Sequence, residues 1–281
     1  MTFAAPGPAD VDAAVTAALA EDMGTGDITT DALVPADATL SLIMAARQDI
    51  VAAGLPVARE VFRRLAPAAA LGVETSDGTS VAAGTVMMRI EGPARGLLSG
   101  ERAALNFVQV LSGIATLTRA YVRRIAGTGA VLLDTRKTVP GLRALSKYAT
   151  ALGGARNHRL RLDDGVLIKD NHIAVCGGVA QAVARATAAG LAAIEVECDT
   201  IAQVTEALGA GAERILLDNM TPDSLRRAVK MAGGRVPLEA SGGVTLDTIR
   251  AIAETGVDYI SVGAITHSAP AVDVGIDLAG D

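Results

Sequence analysis

The chain has 281 residues, enough to bury a full core as one large α/β domain or as one such domain with a smaller partner. Its formal net charge of -6 excludes non-specific attraction to nucleic acid or to an acidic membrane. Half of it is hydrophobic, yet it holds three Tyr, three Phe and no Trp, which suits helix-on-sheet packing of small side chains better than a groove lined with rings. The two cysteines, Cys176 and Cys198, show no metal-ligand or CxxC spacing, and the plain expectation is a reduced, cytoplasmic chain. The N-terminus lacks the basic and apolar segments of a signal peptide, and no run approaches the roughly 20 apolar residues of a membrane span.

Residues 11–21 repeat apolar positions at helical spacing, with Asp10 or Asp12 available as a cap. The stretch EDMGTGDITTDALVP that follows reads as a loop. Strands are expected over 39–52 and 81–90, with a helix at about 55–65 between them and turns at GTSVAAG and EGPARG. This first third reads as a small α+β unit. Residues 100–126 then give one or two helices, and beyond them the pattern changes. Short apolar runs alternate with amphipathic stretches: VLLD (131–134), VLIKD (166–170), AIEVE (193–197), RILLD (214–218), VPLEA (236–240) and YISVG (259–263). Helices are expected over 178–189, 200–209, 222–232 and 246–255. Such alternation predicts a parallel sheet curled into a barrel or part-barrel.

Every one of these strands ends in charge or glycine: Asp134-Thr135-Arg136-Lys137, Lys169-Asp170-Asn171-His172, Glu197, Asp218-Asn219, Glu239 before Ser241-Gly242-Gly243, and Gly263. In parallel barrels the carboxyl ends of the strands form one mouth, and the mouth holds the active site. Between Asp134 and His172 lie eight of the 25 Lys and Arg residues and two of the three histidines, in a protein that is acidic overall. An exposed basic helix face accounts for Arg143 and Lys147. Arg136, Lys137 and Lys169 sit instead at the ends of apolar strands, where a cation faces an anion. Were the strand to continue through Arg136 and Lys137, their side chains would point to opposite sides. ASGGV (240–244) and SVGAITHS (261–268) occupy the last two strand ends, the frequent phosphate site of barrels. Glu197 and Asp218 suit sugar hydroxyls or Mg²⁺. Glu195 shares a strand face with Glu197, and spacing alone does not say which acid reaches a substrate. Cys198 has no base beside it and reads as a packed residue. These residues point to a barrel enzyme that binds a phosphorylated sugar and a second anion, with Mg²⁺.

DTRKTVPGLRALSKYA, GGARNHRLRLDDGVLIKDNH, IEVEC, ILLDNM, LEASGGV and ISVGAITHSAP, together with EDMGTGDIT and GERAALNFVQVLSGIAT, resemble the quinolinate phosphoribosyltransferases in order and spacing from about residue 20 to 275. The resemblance implies an N-terminal α/β sandwich domain (1–105, joined by the tail 269–281) and an open-faced α/β barrel (106–268) of the type II phosphoribosyltransferase kind. It also implies a homodimer, or a higher oligomer, with Arg102 acting across the interface. The implied reaction takes quinolinate and phosphoribosyl pyrophosphate to nicotinate mononucleotide, pyrophosphate and CO₂, with Mg²⁺, in NAD biosynthesis. By the same resemblance Arg136, His158, Arg159 and Lys169 hold the quinolinate carboxylates, with Thr135 beside them. Lys137 stands near the pyrophosphate and the reacting centre. Glu197 and Asp218 stand around the ribose hydroxyls and metal. Ser241, Gly242, Gly243, Val262, Gly263 and Ala264 form the 5′-phosphate loops, with His267 nearby. Val139, Ser146 and Cys198 depart from the family pattern, but no charged ligand is lost. The related protein of molybdate-transport operons shares the DTRKT region without intact NHR and LIKDNH segments, and both are intact here. A catalytically silent binding protein on the same scaffold would have lost rim charges.

Overall fold

The computed structural model describes residues 6–280. The chain opens with helices α1 (Pro8–Met23) and α2 (Ile28–Leu33), then β1 (Thr39–Ala46), β2 (Ile50–Val51), α3 (Leu55–Leu65), β3 (Ala70–Val73), β4 (Ser80–Val81), β5 (Val86–Pro93) and the long α4 (Ala94–Arg124). Next come β6 (Val131–Leu133), α5 (Arg143–Gly153), β7 (Leu167–Ile168), α6 (Asp170–Cys176) and α7 (Val179–Ala188). The remainder runs β8 (Glu195–Cys198), α8 (Ile201–Ala210), β9 (Arg214–Asp218), α9 (Pro222–Ala232), β10 (Leu238–Ser241), α10 (Ile249–Ala253), β11 (Tyr259–Ser261), α11 (Ala264–His267) and β12 (Val274–Leu278). No helix among the described residues is long and apolar enough to cross a membrane.

Two compact units divide the chain. One takes the described residues up to Arg119, then 138–154 and those from Ile265 on; the other takes 120–137 and 155–264. In the first unit β12, β1, β5 and β3 form an antiparallel sheet, with Leu42 opposite both Leu278 and Ile90. Leu42, Met44 and Ala46 alternate inward along β1 and meet α3, whose Leu55, Val57, Ala58, Val61 and Phe62 are buried. The start of α3 is secured from afar: Asp77 accepts from the backbone N–H groups of Gly54 and Leu55, at 2.8 and 3.1 Å.

The second unit holds a six-stranded parallel sheet in the order β6-β11-β10-β9-β8-β7, each strand aligned with its neighbour by register pairs such as Glu195–Arg214 and Leu216–Glu239. The first and last members of that order do not pair, so the sheet is an open α/β barrel. All six expected strands are present. Their short Leu, Ile and Val runs are buried from both sides, as a sheet covered by crossover helices requires.

Several expectations are corrected. The stretch after α1 is not all loop: Asp27 accepts from Thr30 N–H at 3.0 Å and starts α2. Neither Asp10 nor Asp12 caps α1; Gly7 stands there without a side-chain cap. Strand 39–52 is broken at residues 47–49, and EGPARG runs from strand into helix without a turn. The strand through the opening motif stops at Leu133, so Arg136 and Lys137 lie on a turn in which Lys137 N–H donates to Thr135 Oγ1 at 3.0 Å. Lys147 is no surface cation; it is fully buried in α5. Glu239 is fully buried within β10 rather than part of the rim.

Candidate active site

At the carboxyl end of β6 the chain turns away through Asp134, which is wholly buried. Its carboxylate accepts from Asn157 Nδ2 at 2.5 Å and from the backbone N–H of His158 at 2.8 Å. One buried anion thus ties the 135–137 turn to the 157–159 segment. Arg136 is half-buried, and its Nε is shielded from solvent with no hydrogen-bond partner. Arg159 donates through Nη1 to the Gly165 carbonyl at 2.8 Å. Burial, and next the Arg136 charge beside it, pull the Arg159 guanidinium below its ordinary range. Two guanidiniums held near one another, one with an orphaned N–H, are built for an anion.

At the end of β7 and β8, Lys169 Nζ reaches Glu197 Oε2 at 2.5 Å. The neighbouring His172 serves structure, since its Nδ1 accepts from the Lys169 backbone N–H at 2.9 Å at the start of α6. Strand alternation puts Glu195 and Glu197 on one face of β8, and the structure separates their work. Glu197 is at the rim with Lys169, whereas Glu195 lies deeper and faces His158 at 3.1 Å.

Asp218 ends β9, where its carboxylate accepts from Asn219 Nδ2 at 2.6 Å. Asn219 has a positive φ of 53°, and its backbone N–H donates to the Ser241 carbonyl at 2.8 Å. This brings the ends of β9 and β10 together. Gly242 has φ 91°, and a Cβ there would run into Asn219, so this position accepts only glycine. Gly242 and Gly243, following Ser241, therefore present bare backbone at the end of β10. After β11, Val262 is buried and Gly263 and Ala264 are half-buried at the corresponding place. The six strands thus deliver Thr135, Arg136, Lys137, Lys169, Glu197, Asp218, Ser241–Gly243 and Val262–Ala264 to or just beyond their carboxyl ends, with the 157–159 segment strapped to β6.

Arg102 is exposed on α4, and His267, exposed in α11, shares Nδ1 with the Ser268 hydroxyl at 2.6 Å; both belong to the first unit. Cys198 is fully buried, and burial pushes its thiol up to about 12, so it is no nucleophile at neutral pH. Sequence reasoning missed Asp134 as an anchor and the buried acids Glu195 and Glu239. Nothing in a strand of mixed apolar and acidic residues tells an interior acid from a rim acid.

Residues 27–112 match the model of the quinolinate phosphoribosyl transferase N-terminal domain and residues 114–277 that of the C-terminal domain. A probable nicotinate-nucleotide pyrophosphorylase [carboxylating] of Bacillus subtilis is 44% identical over 260 residues, covering 92% of this chain and 90% of its own. The Mycobacterium leprae nicotinate-nucleotide pyrophosphorylase [carboxylating] is 44% identical over 274 residues, with 93% and 94% covered. Among solved structures, the nicotinate-nucleotide pyrophosphorylase of Francisella tularensis superposes with a TM-score of 0.92 at 39% identity, over 96% of each chain. The fold reaches further, to human nicotinic acid phosphoribosyltransferase, with a TM-score of 0.64 at 15% identity over 95% of this chain and 73% of that one. With both family domains matched in order along nearly its whole length, the chain belongs to the quinolinate phosphoribosyl transferase family.

Proposed function

We propose that this chain transfers the phosphoribosyl group of phosphoribosyl pyrophosphate to quinolinate and decarboxylates the product, giving nicotinate mononucleotide, pyrophosphate and CO₂ for NAD biosynthesis. The observation that carries it is the Arg136–Arg159 pair, with a buried Arg136 Nε that has no partner. A dicarboxylate supplies what that pair lacks. Arg136, Arg159 and Lys169, with Arg102 from a second subunit, hold the two carboxylates, and His158 stands beside Arg159. Ser241–Gly243 and Val262–Ala264 cradle the 5′-phosphate, and Thr135 supports the turn.

Held so, the pyridine nitrogen attacks the anomeric carbon as the bond to pyrophosphate breaks and its electron pair leaves with the pyrophosphate. Positive charge develops on the ribose ring, where Glu197 and Asp218 stabilise it. Lys137 faces the charge gained by the leaving group. The electron pair released when the 2-carboxylate departs as CO₂ stays on the ring carbon, where the adjacent positive nitrogen stabilises it until that carbon takes up a proton. No covalent nucleophile is required, in keeping with the inert Cys198; the work is positioning and electrostatics. Glu197 and Asp218 fit Mg²⁺ as hard oxygen donors, and among the described residues neither belongs to a three-ligand cluster. That suits an ion held mainly by substrate phosphates, which when bound neutralises pyrophosphate charge. The same reading carries a homodimer and a cytoplasmic location, which two free cysteines suit.

The test is direct. Purified protein with quinolinate, phosphoribosyl pyrophosphate and Mg²⁺ should form nicotinate mononucleotide and CO₂ in equal amounts. Nicotinate, with one carboxylate, should be turned over far more slowly, and equal turnover would overturn the assignment of the cationic set.

A further inference from the structure

Beneath the mouth lies a second group of charges that the reaction above does not use. Glu195 is 4% exposed and Glu239 not at all. Glu195 Oε1 has no hydrogen-bond partner and Glu239 has at best a weak one in the Ser261 side chain, an arrangement that needs a reason in a packed interior. Facing them are the His158 ring, whose Nε2 is 3.1 Å from Glu195 and 3.6 Å from Glu239, and the Arg214 guanidinium, 3.7 Å from Glu239 and 4.0 Å from Glu195. Arg214 is itself seated over the Tyr259 ring, 4.3 Å from its centre.

The His158 ring is engaged at both nitrogens. Nδ1 accepts from the backbone N–H of Arg159 at 2.8 Å, so the ring proton of the neutral imidazole belongs on Nε2, where the two carboxylates are. The ring is therefore a strut. One end grips the amide from which the Arg159 side chain departs, and the other is footed on acids inside the barrel. We propose that Glu195 and Glu239, balanced by Arg214, are positioning residues: they fix His158, and through it the direction in which Arg159 reaches a quinolinate carboxylate. This rests on Arg159 holding that carboxylate, and it gives His158 its part from behind the substrate. The trio of His158, Glu195 and Glu239 also has the makings of a metal site, since its ligand atoms lie within 4.8 Å of one another. Arg214 already supplies positive charge to both acids, which argues against a second cation there.

Three measurements decide it. Glu195→Ala removes the footing and should raise the quinolinate KM about tenfold or more, with kcat and the phosphoribosyl pyrophosphate KM nearly unchanged. Glu195→Gln, which still offers an oxygen to Nε2–H, should restore most of the loss. A merely structural role would instead shift both KM values and kcat together, with no rescue by Gln, and would overturn the proposal. Independently of activity or of any variant's folding, nitrogen NMR of histidine-labelled wild-type protein should show His158 as the Nε2–H tautomer, unmoved by added Zn²⁺. An Nδ1–H tautomer, or a Zn²⁺-induced shift at Nε2, would sink the strut. Wild-type protein that makes no nicotinate mononucleotide would refute the proposed function while leaving the tautomer result to stand or fall by itself.

Discussion

Lys169 Nζ stands 2.5 Å from Glu197 Oε2, an ion pair that bridges the carboxyl ends of adjacent parallel strands β7 and β8. The Lys169 side chain keeps 45% of its exposure, so the pair contributes at most about 1 kcal/mol to stability. Its value is placement. Lys169→Met should leave the melting temperature almost unchanged and raise the quinolinate KM by about tenfold or more, the order of a lost charge-assisted bond. Thermal melting beside steady-state kinetics checks both halves; a large drop in melting temperature would mean the pair holds the sheet rather than the substrate.

Arg136 and Lys137 adjoin on the turn after β6 but differ in setting, the first half-buried and the second exposed. Arg136→Lys keeps the charge and loses the two-pronged donor, so quinolinate binding should weaken by about 1.5–3 kcal/mol. Lys137→Ala should lower kcat and kcat/KM together, as expected for a contact made chiefly in the transition state. Titration calorimetry and kinetics on the two variants separate these roles, and the reverse pattern would exchange them.

Arg102 sits exposed on α4, in the unit that does not contain the strand-end rim. If it completes the site of a second copy, Arg102→Ala and Lys137→Ala subunits, each inactive alone, should regain part of the activity when mixed. Demonstrated heterodimers that stay inactive would rule this out.

Burial, and then the neighbouring Glu195 charge, push Glu239 up to about 7, against the pull of His158, Ser261 and Arg214. A carboxyl whose folded pKa lies above its ordinary value stabilises the fold fully below about pH 4.5, and that contribution is lost as pH rises through 7. Glu239→Gln cannot ionise. It should match wild type near pH 4 and exceed it at pH 8, by on the order of 3 kcal/mol. Denaturant unfolding across this range checks the sign, and a difference that does not change with pH would contradict it.

The barrel was legible because its strands are short Leu, Ile and Val runs that stop abruptly at charge, a pattern few other folds produce. The ends of β7, β8 and β9 were read correctly for the same reason. Less legible were elements whose cause lies elsewhere in the chain. β3 (ALGV) is mostly exposed and owes its strand to pairing with β5, and α2 owes its start to one Asp27 hydrogen bond. Lys147 looked like a surface cation because a helix of mixed residues does not announce which face is covered. Glu195, Glu197 and Glu239 all lie on strands, where a period of two fixes the face but not the depth. Depth depends on register with neighbouring strands, which is a property of the whole sheet.

The open sheet has two edges, and their lengths matter before any substrate arrives. β6 is three residues long, and its outer side is already engaged: Arg156 N–H donates to the Leu132 carbonyl at 2.9 Å, and Asp134 N–H donates to the Arg156 carbonyl at 3.2 Å. β7, at the other edge, is two residues long and ends directly in α6. A foreign strand seeking to extend the sheet therefore finds one margin occupied and the other too short to template a ladder. An apolar six-stranded sheet would otherwise be an aggregation hazard at the concentrations reached during synthesis; here the brevity of its margins caps its growth.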